Sequence, residues 1–162
     1  PWGRPDMALF KFTRAILEGQ PIDLYNHGDM RRDFSFIDDL VEAIRRLMEA
    51  PPSIGAPAGA FDSLSPVAPY RMVNIGLGDP VPLLEFVEAI EAAIGRPAIR
   101  NLMPIQPGEV TATFADNRLL KALTGFEPRT RIREGVARFV QWYRDYHSVY
   151  PRHGSLADAT LG

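Results

Sequence analysis

The spacing of apolar residues along the chain predicts five helices. Leu9, Phe12, Thr13 and Ile16 recur at helical intervals within 6–18, where Pro5 and Asp6 offer a start and Gly19 a stop. A second stripe runs through Ile37, Leu40, Val41, Ile44, Leu47 and Met48, with Asp38 and Asp39 at the positive end of the helix dipole. Leu83, Phe86, Val87, Ile90 and Ile94 make a third, closed by Gly95, Arg96 and Pro97. Residues 116–123 read as a short helix with an Asp cap and Gly125 beyond it, and Ile132, Val136, Phe139, Val140 and Tyr143 mark the apolar face of the last. Short strands are expected at 21–25, 34–37, 71–75 and 98–102, the first running into a turn at Asn26, His27, Gly28 and Asp29. Helices interleaved with so few strands make a helix-rich α/β or α+β unit, too poor in strands for a full doubly wound sheet.

One domain over residues 1–150 accounts for these elements. Residues 51–69 are rich in Pro, Ala, Gly and Ser and lack a period, so a long flexible loop is expected there; 151–162 are weakly patterned and expected to be a disordered tail. The chain opens on Pro1 and its first Met is Met7, so a preceding N-terminal portion is expected.

Charge and composition narrow the functional classes. With 18 Lys and Arg against 20 Asp and Glu, a formal charge of −2 gives no electrostatic support for binding nucleic acid or a membrane surface. Absence of cysteine removes disulfides, thiolate metal sites and a cysteine nucleophile, and His27, His147 and His153 share no metal-ligand spacing. No apolar run approaches the roughly 20 residues of a membrane helix, and a cytoplasmic setting is expected.

Catalytic motifs are missing from the sequence. Gly76-Leu77-Gly78 approaches a dinucleotide fingerprint, but Val81 stands where the third glycine belongs. None of Tyr25, Tyr70, Tyr143, Tyr146 and Tyr150 is followed by Lys four residues on, so no catalytic residue is assigned. What remains is a set of arginines in turn-rich settings. Arg4, between Gly3 and Pro5, precedes a helix start where a guanidinium and free N–H groups could meet an anion; a solvated arginine is an equal alternative. Arg32 follows Tyr25 and a glycine turn, pairing an aromatic face with a donor fork suited to phosphate, although on pattern alone a turn salt-bridged from Arg32 to Asp33 or Asp29 is the plainer account. Gln106-Pro107-Gly108-Glu109 is a stiff turn carrying an amide and a carboxylate, the acceptors that hold ribose hydroxyls. Asp38 and Asp39 are explained most simply as helix caps, and Phe139, Trp142, Tyr143 and Tyr146 as core with an amphipathic rim.

Four stretches taken in order change these weights: Pro1-Trp2-Gly3-Arg4-Pro5-Asp6-Met7-Ala8, the run from Ile22 through Tyr25 and Arg31-Arg32-Asp33-Phe34 to Asp39, Asn74-Ile75-Gly76, and Met103-Pro104-Ile105-Gln106-Pro107-Gly108-Glu109-Val110. Together they resemble the C-terminal, substrate-binding half of nucleotide-sugar epimerases and dehydratases of the extended short-chain dehydrogenase/reductase superfamily, most of all the UDP-glucuronate 4-epimerases. The resemblance implies a UDP-sugar substrate and C4 epimerisation through a transient 4-keto sugar. The NAD loop and the Tyr/Lys pair would lie in an N-terminal Rossmann half upstream. It further implies that Arg32 holds the pyrophosphate, Tyr25 lines the nucleotide pocket, Glu109 with Gln106 sits near ribose and phosphate, and Arg4 lies beside the sugar. The chain alone would then be inactive, expose an apolar face toward its own Rossmann domain, and self-associate. Action on UDP-glucose, 4,6-dehydration, or a non-catalytic interaction module built on the same fold are the competing expectations.

Overall fold

A computed structural model describes residues 6–149. It contains α1 (Ala8–Glu18), β1 (Pro21–Leu24), a 3-10 turn (Tyr25–Gly28), β2 (Arg31–Arg32), α2 (Ile37–Met48), β3 (Val81–Pro82), α3 (Leu83–Ile94), β4 (Ile99–Leu102), α4 (Arg118–Thr124) and α5 (Ile132–Val149). The fold is α/β and helix-rich. Gly19, Gly95 and Gly125 end α1, α3 and α4 in the left-handed conformation, as their positions predict.

The core forms where the apolar stripes of α1, α3 and α5 meet β1. Phe12, Ile16, Ile22, Leu24, Phe86, Val87, Ile90, Val136 and Val140 are buried in one cluster. β1 alternates exposed and buried residues, turning Ile22 and Leu24 inward, and pairs in parallel with β4 from Pro21 opposite Ile99 to Leu24 opposite Leu102. β2 pairs antiparallel with β3, and Arg31 also bridges Ala112. Phe10 of α1 packs edge-on against Phe139 and Trp142 of α5, and Tyr143 beside them is buried.

Two expected strands are not strands. Residues 34–37 make no ladder: Phe34 stacks on Phe86 at 4.7 Å and Arg138 lies over the ring of Phe36 at 5.2 Å, so aromatic packing orders them, while the ladder falls at Arg31–Arg32. Residues 71–75 also pair with no strand among the described residues; Ser63 Oγ takes the Met72 N–H and donates to the Met72 carbonyl instead. β propensity there lacks the neighbour that a strand requires. β3 was not expected.

Other local expectations shift in detail. α4 begins at Arg118, with Asp116 accepting the Arg118 N–H. Neither Asp38 nor Asp39 caps α2: Asp39 accepts the N–H groups of Arg129 and Thr130, and Asp38 lies 3.5 Å from Arg138. His147 is half-buried against Tyr143, at 4.3 Å between rings, rather than a surface residue. Within 51–69 no helix or strand forms; Arg71 and Asp62 make a buried ion pair at 2.9 Å, and Asp62 also accepts the N–H groups of Ala58 and Leu64. Arg4, His153 and the tail 151–162 lie outside the described residues.

Candidate functional site

A cleft of about 720 Å³ opens where the start of α1, the end of β1, the stretch after β2 and the start of α5 converge. Most of its wall is apolar, including Phe12, Phe34, Phe86 and Phe139; Asp23, Tyr25, Arg32, Asp33, Glu109 and Arg131 supply charge and hydrogen-bonding groups. An apolar cavity with few polar groups gathered in it is the usual form of a small-molecule site.

Local structure explains how each polar group arrives. Tyr25 stands at the end of β1 because the chain turns immediately after it through Asn26 (φ 49°) and His27 (φ 52°), both left-handed. That conformation costs about 1 kcal/mol or more for a residue with a side chain. Asn26 Nδ2 to the Asp29 carbonyl at 2.6 Å, and the His27 N–H to the Met103 carbonyl at 2.9 Å, hold it in place. Arg32 sits on the two-residue strand β2, where its Nη1 donates to the Arg31 carbonyl and its Nη2 lies 3.5 Å from Glu109 Oε2. Glu109 closes the stiff turn, its N–H bonded to the Gln106 carbonyl.

Tyr25, Arg32 and Glu109 therefore share one cleft, and Gln106, exposed on the outer side of its turn, does not line it. The partner of Arg32 is Glu109, not Asp33 or Asp29. Because both side chains are partly solvated, such a pair contributes about 1 kcal/mol or less, so an anionic ligand can displace the carboxylate at small cost. Arg131, paired with Asp79, and Asp23, which accepts from Asn101 Nδ2, line the cleft without having been singled out. Charge near the start of a predicted helix or strand was their only signal.

The 76–78 turn is not a phosphate cradle. The Leu77 and Gly78 N–H groups both donate to Asp33, and the Gly76 N–H to Asn117 Oδ1, so the amides that a dinucleotide phosphate would need are engaged. No group of three or more His, Asp or Glu among the described residues could hold a metal ion, and no described helix is long and apolar enough to cross a membrane.

The chain is similar to known proteins in sequence and in fold. The model of the NAD dependent epimerase/dehydratase family matches residues 1–76. A probable UDP-glucuronate 4-epimerase of Rhizobium meliloti (strain 1021) is 60% identical over 146 residues, covering 88% of this chain and 43% of that protein. Over that stretch, and over most of its length, this chain is similar to the NAD dependent epimerase/dehydratase family. UDP-glucuronate 4-epimerase 1 of Arabidopsis thaliana is 37% identical over 151 residues, 91% of this chain and 34% of that protein. Among solved structures, MoeE5 in complex with UDP-glucuronic acid and NAD superposes with a TM-score of 0.73 at 30% identity, covering 90% of this chain and 44% of the other. The Bacillus cereus UDP-glucuronic acid 4-epimerase, at 23% identity and a TM-score of 0.73, shares the fold. The chain spans less than half the length of these family members, and its architecture is that of the C-terminal part of extended short-chain dehydrogenases/reductases.

Proposed function

We propose that this chain is the substrate-holding part of an NAD-dependent 4-epimerase that interconverts UDP-glucuronate and UDP-galacturonate, completed by an N-terminal Rossmann half that carries NAD and the catalytic Tyr/Lys pair. The observation that carries the proposal is the convergence of Tyr25, Arg32 and Glu109 on one largely apolar cleft. Similarity to proteins named as UDP-glucuronate 4-epimerases, and to MoeE5 bound to UDP-glucuronic acid, supports the choice of sugar.

In this proposal the Arg32 guanidinium leaves Glu109 and takes diphosphate oxygens through its planar donor fork. Glu109, released, accepts from ribose hydroxyls, and Tyr25 lies against the nucleoside. Reversing the C4 hydroxyl requires the keto sugar to present both faces to one hydride donor, so the nucleotide must be held firmly and the sugar loosely. A wall with few hydrogen-bonding groups meets the second requirement. NAD would supply the hydride acceptor and donor, and the 76–78 amides, engaged with Asp33 and Asn117, offer it no cradle.

Titration calorimetry of the complete polypeptide with UDP tests the assignment. Arg32→Ala should weaken binding between about tenfold and a hundredfold, the scale of lost charge-assisted hydrogen bonds; a change below about twofold would refute it. Turnover of UDP-glucuronate in preference to UDP-glucose distinguishes the proposed substrate from the neutral sugar, and loss of a C6 hydroxyl would mark a 4,6-dehydratase.

A further inference from the structure

We propose that Asp33 is a positioning residue that fixes Arg32 for the diphosphate, an inference that rests on reading the cleft as a sugar-nucleotide site. Asp33 lines the cleft next to Arg32 in sequence, where a free carboxylate would repel a phosphate. It is not free. Oδ1 accepts the N–H groups of Leu77 at 3.1 Å and Gly78 at 3.2 Å; Oδ2 accepts those of Gly78 at 3.0 Å and Ala115 at 2.9 Å. Its own N–H donates to Thr113 Oγ1 at 3.1 Å. Three amide dipoles aimed at one carboxylate offset its charge toward the cleft while tying two loops to the end of β2.

Those loops matter because one of them leads to Glu109. Between Glu109 and Ala115 the chain runs beside 31–33: the Arg31 N–H donates to the Thr111 carbonyl at 2.8 Å, the Thr113 N–H to the Arg31 carbonyl at 3.2 Å, and Asp33 completes the seam through Thr113 and Ala115. Asn117 locks the other loop by holding both the N–H and the carbonyl of Gly76. The fit leaves no room for a side chain at Gly76, where a Cβ would sit 2.5 Å from the Ala115 Cβ and 2.9 Å from Asp33 Oδ2. Arg32 and Glu109 are thus borne by two strands of chain stitched together at Asp33, neither in a sheet wide enough to be rigid on its own. Only a carboxylate serves here: in asparagine, either orientation of the amide turns an NH2 group toward backbone N–H donors.

The test compares UDP with uridine, which lacks the phosphates, by titration of the complete polypeptide and of Asp33→Asn, Thr113→Val, Arg32→Ala and the Arg32→Ala/Asp33→Asn pair. Asp33→Asn should weaken UDP about tenfold, the scale of charge-assisted bonds lost, and uridine by a clearly smaller factor, since Arg32 meets only the phosphates while Glu109 on the same seam meets the ribose. Thr113→Val should act in the same direction more weakly, and it carries the comparison alone if Asp33→Asn does not fold. In the Arg32→Ala background Asp33→Asn should have no further effect. The direction is informative, because removing a negative charge from beside a phosphate site would by itself tighten UDP. Tighter UDP binding, equal losses for UDP and uridine, or a full further loss in the Arg32→Ala background would overturn the inference. Unchanged UDP affinity in Arg32→Ala would instead remove the reading of the cleft on which it rests, whereas loss in Arg32→Ala with none in Asp33→Asn and Thr113→Val overturns the positioning role alone.

Discussion

Helix α3 buries Phe86, Val87, Ala89 and Ile90 against its neighbours, whereas α2, also twelve residues long, buries only Ala43. Along α2, Ile37, Val41, Ile44 and Met48 stay 56, 56, 48 and 78% exposed. Both helices carry an apolar stripe of the correct period, so the stripe itself does not separate them. What separates them is a covering layer: α1 and α5 flank α3, while α2 touches chiefly α4. The region around α2 is held instead by polar ties, among them Glu42 to Arg45 and Arg46, Arg46 over the ring of Phe126, and Asp39 to the 129–130 amides, and the 51–71 stretch that follows it by the buried Arg71–Asp62 pair. A row of exposed apolar residues along one helix face usually marks a surface that meets another polypeptide. If the proposed function holds, that surface is the candidate to meet the Rossmann half, and in the isolated chain it is where self-association would start.

Substitutions can test how deep this contrast runs. The largest effect is expected at the centre of the covered region: Phe86→Ala should lower unfolding free energy by about 3–5 kcal/mol in a urea titration. A loss below about 1 kcal/mol would move the main core away from α3. In the polar region, Asp62→Ala strands the Arg71 guanidinium in a buried setting and should cost about 3 kcal/mol. That loss should register as local opening, with faster amide exchange across 51–71 while protection in α3 is kept. Val41→Ser combined with Ile44→Ser should change stability by less than about 0.5 kcal/mol, since both residues already face water. The same pair should reduce association in sedimentation experiments; an unchanged mass distribution would separate the α2 face from self-association.

Smallest is the pH response of α2. Hydrogen bonds from Arg45 and Arg46 hold the Glu42 carboxyl well below its ordinary value of 4.5, down to about 2. A folded value below the unfolded one means that Glu42 supports α2 fully above pH 4.5, and that this support fades as pH falls toward 2. Amide protection in α2 should therefore hold steady from pH 7 to 5 and weaken below, and Glu42→Gln should remove that dependence. If the wild-type and Gln profiles coincide, the pairs seen on the helix surface contribute nothing in solution.

Legibility of the fold followed how local each signal is. α1, α2, α3 and α5 were marked by residues three or four apart, and β1 and β4 by short apolar runs between turn residues. The strand expected at 71–75 failed although its residues suit a strand, because a strand exists only where another pairs with it. Phe34 and Phe36 misled in the opposite sense: their rings pack against Phe86 and beneath Arg138, which side-chain type alone does not announce. In the candidate site, Tyr25, Arg32 and Glu109 were recognisable as unusual chemistry beside stiff turns. From sequence Asp33 reads only as a salt-bridge partner for its neighbour, since the amides that donate to it lie 44, 45 and 82 residues further along the chain.

The amino-acid order by itself determined which stretches are helical, to within a residue or two at their ends, and which face of each is apolar, because backbone hydrogen bonding and side-chain periodicity act within a few residues. It also placed the charged and aromatic groups on turns. Tertiary structure decided which apolar faces find cover, which carboxylate meets Arg32 and which is absorbed by backbone amides. Burial and hydrogen-bond satisfaction belong to whatever residues come to lie alongside, and in this chain those neighbours come from distant stretches of sequence.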